Sequence, residues 1–123
     1  MSIKNTILVF LLLPLLVLLP KPVIAEPVEI QEQTIAELIT FYSDYYNVSS
    51  DTIHKVIKCE SRYNTNAKNL QGERSYGLVQ INLNAHKSIT IEQATDENFA
   101  IDFLAKNIAK GHGSMWTCYR KLV

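Results

Sequence analysis

The sequence predicts a mainly α-helical domain with a short turn-and-strand segment near residues 70–82, and three apolar stretches carry that prediction. Ile35, Leu38, Ile39, Tyr42 and Tyr46 recur at three- and four-residue steps with acidic residues on the opposite side, which marks residues 31–46 as one amphipathic helix. Ile53, Val56 and Ile57 repeat the pattern behind a Ser49-Ser50-Asp51 start, where Ser50 or Asp51 is the expected capping acceptor. Phe99, Phe103, Leu104 and Ile108 form the third stripe, opened by Asp96-Glu97 with Asp96 as cap and closed by Gly111.

Ahead of the first helix the chain has a different character. Lys4 is followed by a block from Ile7 to Leu19 that is apolar except for Pro14, then by Pro20-Lys21-Pro22 and Val23-Ile24-Ala25. A basic start, an apolar block and a terminal small residue make residues 1–25 an export signal cleaved after Ala25. The alternative is an uncleaved N-terminal anchor, although the block falls short of the roughly 20 apolar residues that span a bilayer. Residues 26–30, Glu-Pro-Val-Glu-Ile, read as a short linker, and residues 31–123 as one domain.

The 123-residue chain balances 12 basic against 12 acidic residues, and with Lys4 and Lys21 gone the exported part is slightly acidic. Such a chain has no field to hold a phosphate polymer, so nucleic acid is excluded as the expected partner. Cys59 and Cys118 both lie in the exported part, where an oxidising compartment lets them pair. Closing so long a loop is worth about 4 kcal/mol in the chain-entropy account, the alternative being two buried free thiols. Two isolated Cys and the scattered His54, His86 and His112 have no metal-ligand spacing, so neither metal nor organic cofactor is expected.

Stepping three residues on from Ile57 along the apolar stripe reaches Glu60. A charge there is expensive to bury unless it is paired or neutralised. At its ordinary pKa a glutamate is protonated in only about 0.2% of molecules at pH 7. Desolvation raises that fraction and creates a general acid of the kind glycoside cleavage requires. A Glu60 paired with Lys or Arg, or one that reaches solvent at the edge of the stripe, would have a structural role only.

The surrounding residues favour the acid. Cys59-Glu60-Ser61-Arg62-Tyr63-Asn64-Thr65-Asn66-Ala67 is followed, after a polar loop, by Ser75-Tyr76-Gly77-Leu78-Val79-Gln80-Ile81-Asn82. This pair of motifs resembles the lysozyme-like lytic transglycosylases of the soluble type: Glu-Ser at a helix end, an aromatic residue three positions after the Glu, an Ala beyond it, then Gly-Leu-x-Gln-Ile. The resemblance implies a lysozyme-like helical fold and Glu60 as the single acid/base cleaving the bond between N-acetylmuramic acid and N-acetylglucosamine in peptidoglycan. It implies Ser61, Tyr76, Gly77, Leu78 and Gln80 as groove residues, with Ser61 orienting rather than reacting, since no His and Asp stand in partner spacing. Tyr63, Trp116 and Tyr119 offer further flat faces, each as readily explained as core.

Two departures qualify the match. The family's Tyr-Asn pair after the last core helix is replaced by Gly113-Ser114-Met115-Trp116-Thr117-Cys118-Tyr119, and the domain is short for the family. Glu73, in the Gly72-Glu73-Arg74 turn, is similar to the Asp of goose-type lysozymes and supplies the second carboxylate an inverting hydrolase needs; Asn82 stands where that group has another acid. The readings are therefore a transglycosylase, a hydrolase using Glu60 and Glu73, or a glycan-binding protein without turnover. A monomer acting on glycan strands, with a secretion or conjugation apparatus as a partner, completes the expectation. Asp102 and His54 are read as surface positions, and Asn47-Val48-Ser49 as a chance sequon.

Overall fold

The structure is a computed structural model describing residues 17–25 and 32–123. Residues 17–25 contain no helix or strand. The expected export signal falls largely on residues 1–16, and the expected linker on residues 26–30, both outside the described residues. Among the described residues, no helix is long and apolar enough to cross a membrane.

Gln31–Val123 form one compact unit. Its first helix, α1 (Ile35–Tyr46), starts at a capping box: Thr34 Oγ1 accepts the Glu37 N–H while the Glu37 carboxylate accepts the Thr34 N–H. It ends at Asn47, whose left-handed backbone (φ 53°) stops the helix, so that residue of the sequon serves as a C-cap. Helix α2 (Ser50–Ser61) follows. Its cap is Ser49 rather than Ser50 or Asp51: Ser49 is the residue with extended backbone, and its Oγ accepts the Thr52 N–H.

Between α2 and the later helices lies a small antiparallel sheet of three two-residue strands, β1 (Lys68–Asn69), β2 (Ser75–Tyr76) and β3 (Ile81–Asn82), in sequential order. Lys68 pairs with Tyr76 and Asn69 with Ser75; Ser75 also pairs with Asn82, and Tyr76 with Ile81. The 78–82 run thus divides into a turn and a strand. Helix α3 (Ile91–Thr95) and β1 have no counterpart in the sequence reading, being too short for a period to show. Helix α4 (Glu97–Ala109) is capped by Asp96 as expected, its Oδ1 taking the Phe99 N–H at 2.7 Å. A 3-10 turn (Gly113–Met115) and α5 (Thr117–Arg120) finish the chain.

The core draws Leu38 and Ile39 from α1, Ile53, Val56 and Ile57 from α2, and Ala100, Ile101, Leu104 and Ala105 from α4, and closes over Leu78, Val79 and Ile81. Two phenols lock α1 to α4: Tyr42 donates to Asn98 Oδ1 and Tyr46 to Asp102 Oδ1, both at 2.6 Å. Donating that bond to a carboxylate pushes the Tyr46 phenol up to about 12. Asp102 is therefore a half-buried acceptor, not part of a solvated face, because the period of α4 turns it toward α1.

Gly77 is where the turn meets α3. It has φ +81°, and a Cβ there would lie 1.8 Å from the Ala94 carbonyl oxygen. Gly77→Ala is expected to cost about 3 kcal/mol, combining strain at positive φ with overpacking against a backbone that cannot yield. A urea unfolding midpoint that stays in place would contradict this.

Candidate active site

Glu60 lies in the last turn of α2, half-buried, three residues after the fully buried Ile57. Its Oε1 accepts the backbone N–H of Cys118 at 3.2 Å. That donor is in place because Cys118 is disulfide-bonded to Cys59, the residue before Glu60, with Cα atoms 5.9 Å apart across a separation of 59 residues. The expected pairing is present, and it brings α5 to the acid.

The electrostatics around Glu60 oppose one another. Burial pushes its carboxyl above the usual glutamate range; the Cys118 N–H pulls it down, the Glu73 charge pushes it up, and Lys121 and Arg120 pull it down again. Desolvation is the largest effect and decides the direction. A half-buried carboxyl kept protonated more than usual, with a second carboxylate close enough to be felt, has the environment that favours a general acid.

The chain leaves Glu60 through a sharp corner. Ser61 Oγ donates to the Ile57 carbonyl at 3.1 Å, an internal bond that fits an orienting role. Arg62 and Tyr63 are both left-handed (φ 52° and 62°), which folds the chain back until Tyr63 Oη reaches the His54 carbonyl at 3.3 Å. His54 Nδ1 lies 3.1 Å from the same hydroxyl, so these two side chains clamp the corner instead of standing idle at a helix edge.

The second motif forms a turn fastened to the segment that follows α2. The Gly77 N–H and Gln80 Nε2 both donate to the Ala67 carbonyl, at 2.8 Å and 3.1 Å, and Nε2 also donates to the Gly77 carbonyl at 2.9 Å. Gln80 is itself left-handed (φ 52°), so its amide staples the turn that its backbone makes. Leu78 is 0% exposed and anchors the turn from beneath, with no surface left to touch a sugar. Tyr76 is half-buried on β2.

Glu73 is held from both sides. Asn69 Nδ2 donates to Oε1 at 3.2 Å and Asn82 Nδ2 to Oε2 at 3.3 Å, which fixes the carboxylate without any cation. Beyond Asn82 opens a cavity of about 260 Å³ lined by Gln80, Asn82, His86, Phe103, Met115 and Trp116, among others. Trp116 is buried and donates Nε1–H to the Val79 carbonyl at 2.7 Å, so it is a core residue with one edge on this cavity. The Tyr119 ring lies over Gly113, where a Cβ would come within 2.5 Å of it.

Sequence reasoning missed Asn69, the Cys118 N–H and the two charges Arg120 and Lys121. A signal for the last three exists: pairing Cys118 with the neighbour of Glu60 necessarily brings residues 118–121 to the acid. Among the described residues, no cluster of three or more His, Cys, Asp or Glu side chains could hold a metal ion.

A helix ending in a half-buried glutamate, beside a glycine-and-glutamine turn on a small sheet, defines the class of lysozyme-like glycan-cleaving domains. The transglycosylase SLT domain family model matches residues 37–122. The chain belongs to that family, and its mainly helical fold with a short three-stranded sheet is the family's lysozyme-like one. Membership implies lytic transglycosylase activity on peptidoglycan. Neither the comparison with curated proteins nor that with solved structures gives a match.

Proposed function

We propose that this protein is an exported lytic transglycosylase that cuts the bond between N-acetylmuramic acid and N-acetylglucosamine, with Glu60 as the one acid/base. The observation that carries this reading is the half-buried Glu60 carboxyl, raised by desolvation and aimed by the Cys118 N–H. Protonated Glu60 gives its proton to the glycosidic oxygen as the bond from that oxygen to the muramoyl anomeric carbon breaks. The resulting carboxylate takes the proton of the muramoyl 6-hydroxyl, whose oxygen bonds to the anomeric carbon and closes a 1,6-anhydro ring. Glu60 ends protonated, ready for the next cut, and no water enters.

Water attack is the second reading, and the held Glu73 favours it. An inverting hydrolase places its base roughly 6.5–9.5 Å from the acid, on the far side of the sugar. Masses of the products from purified sacculi separate the two: anhydromuramoyl ends support ring closure, and ends heavier by one water overturn it. On either reading the mature chain works as a monomer on glycan strands, and a cut this local serves a secretion or conjugation apparatus that must pass the wall.

Glu73→Gln separates the mechanisms a second way. Its charge pushes the Glu60 pKa up, so removing it brings that pKa down and leaves less protonated acid at any given pH. A transglycosylase keeps its maximal rate while the alkaline limb of its pH–rate profile moves to lower pH. A hydrolase loses turnover at every pH. Rates of muropeptide release across the pH range decide between these outcomes.

A further inference from the structure

The Cys118 N–H that meets Glu60 sits on a four-residue helix with little support of its own. No side chain caps α5, and a helix so short does not hold its shape unaided. The disulfide ties the Cys118 side chain to Cys59, which fixes a sulfur and leaves the direction of the peptide N–H to the helix. That direction is set at the join between α5 and the 3-10 turn before it, where Trp116 is extended (φ −97°, ψ 126°).

Arg120 spans this join. Its Nη1 donates to the Ser114 carbonyl at 2.6 Å and its Nη2 to Thr117 Oγ1 at 3.0 Å. One planar fork therefore grips both elements, and Thr117 is the residue immediately before Cys118. The Tyr119 ring over Gly113 is a second contact across the same join. Among the described residues the ion pairs are Lys55–Asp51 and Lys106–Asp102, so the guanidinium is engaged by two neutral oxygens rather than by a carboxylate.

We propose that Arg120 is a positioning residue for the acid: by bracing α5 against the 3-10 turn it keeps the Cys118 N–H on Glu60. The role rests on the acid/base reading of Glu60 above. Arg120 acts on Glu60 by two routes, its brace and its charge, and they can be separated. Burial pushes the Glu60 carboxyl up; the Cys118 N–H pulls it down, the Glu73 charge adds to burial, and the Lys121 and Arg120 charges pull down less than the N–H does. A change that keeps the charge and frees the N–H therefore isolates the brace. Lysine is that change, since an ammonium is a cation without the rigid two-pronged geometry of a guanidinium.

The test follows the Cys118 amide of ¹⁵N-labelled protein by NMR while pH is varied, beside rates of muropeptide release. In the unmodified protein the amide resonance is expected to follow the ionisation of Glu60. Arg120→Lys should cut the amplitude of that response by about half, lower the maximal rate about fivefold, and carry the alkaline limb of the pH–rate profile to higher pH, because a carboxylate with less hydrogen bonding forms later. Thr117→Val removes one acceptor of the fork with Arg120 still charged, and should move all three readouts the same way. Both residues are exposed, so neither substitution opens the core. Arg120→Met loses brace and charge together and should move the limb furthest.

A Cys118 amide that ignores Glu60 in the unmodified protein, or that follows it undiminished in Arg120→Lys and Thr117→Val, would overturn the role. So would a limb that moves in Arg120→Met alone, which leaves Arg120 a charge and nothing more. The amide is read without turnover. A protein that releases no fragments, yet whose amide response is halved in Arg120→Lys, keeps the brace and overturns the acid/base reading alone.

Discussion

Glu60→Gln is expected to lower glycan cleavage by about a thousandfold, the range lost when a positioned general acid is removed. Stability should move by less than about 1 kcal/mol, because the glutamine carbonyl still accepts the Cys118 N–H and the side chain keeps its volume. The pairing of the two readouts matters. A rate loss with an unchanged unfolding curve assigns the proton transfer to this carboxyl, whereas undiminished digestion of sacculi would remove Glu60 from the mechanism and require a different acid.

The second large effect comes from the disulfide. Replacing Cys59 and Cys118 by serine opens a 59-residue separation and is expected to cost about 4 kcal/mol by the chain-entropy account. In a domain this small that is a large part of the total stability. The chemical consequence is separable from the thermodynamic one. Helix α5 has four residues and delivers the N–H that pulls the Glu60 pKa down, so loosening it lets that pKa rise further. The folded fraction of the double variant should therefore turn over more slowly, with its alkaline limb displaced toward higher pH, opposite to the displacement expected for Glu73→Gln. Thermal melts and pH–rate profiles of the two variants check both parts.

The long helices were legible because each buries a stripe at helical spacing, and Asp96 was legible as a cap because its neighbours left it no other use. Ser49 was not, since three adjacent polar residues can all cap and only backbone geometry selects one. The two-residue strands, α3 and α5 fall below the length at which any period exists. Glu60 stood out because it interrupts an apolar stripe, a local conflict of the kind that sites create. Its partners did not stand out: Cys118 is 58 positions away and contributes a backbone group, which no side-chain pattern encodes. Glu73 was visible from its turn, but the two asparagine amides that hold it depend on the β1–β2–β3 register.

The stapled turn has a consequence for how a polymer is engaged. An insoluble, continuous strand cannot be swallowed by a closing lid; it has to be laid across a surface already in shape. Gly77 and Gln80 fasten their loop to Ala67, and Asn69 and Asn82 hold Glu73 from either side, before any sugar arrives. On the proposed reading, in which this turn faces the sugar, the freedom lost in arranging it is lost during folding, and docking a rigid glycan costs little additional ordering.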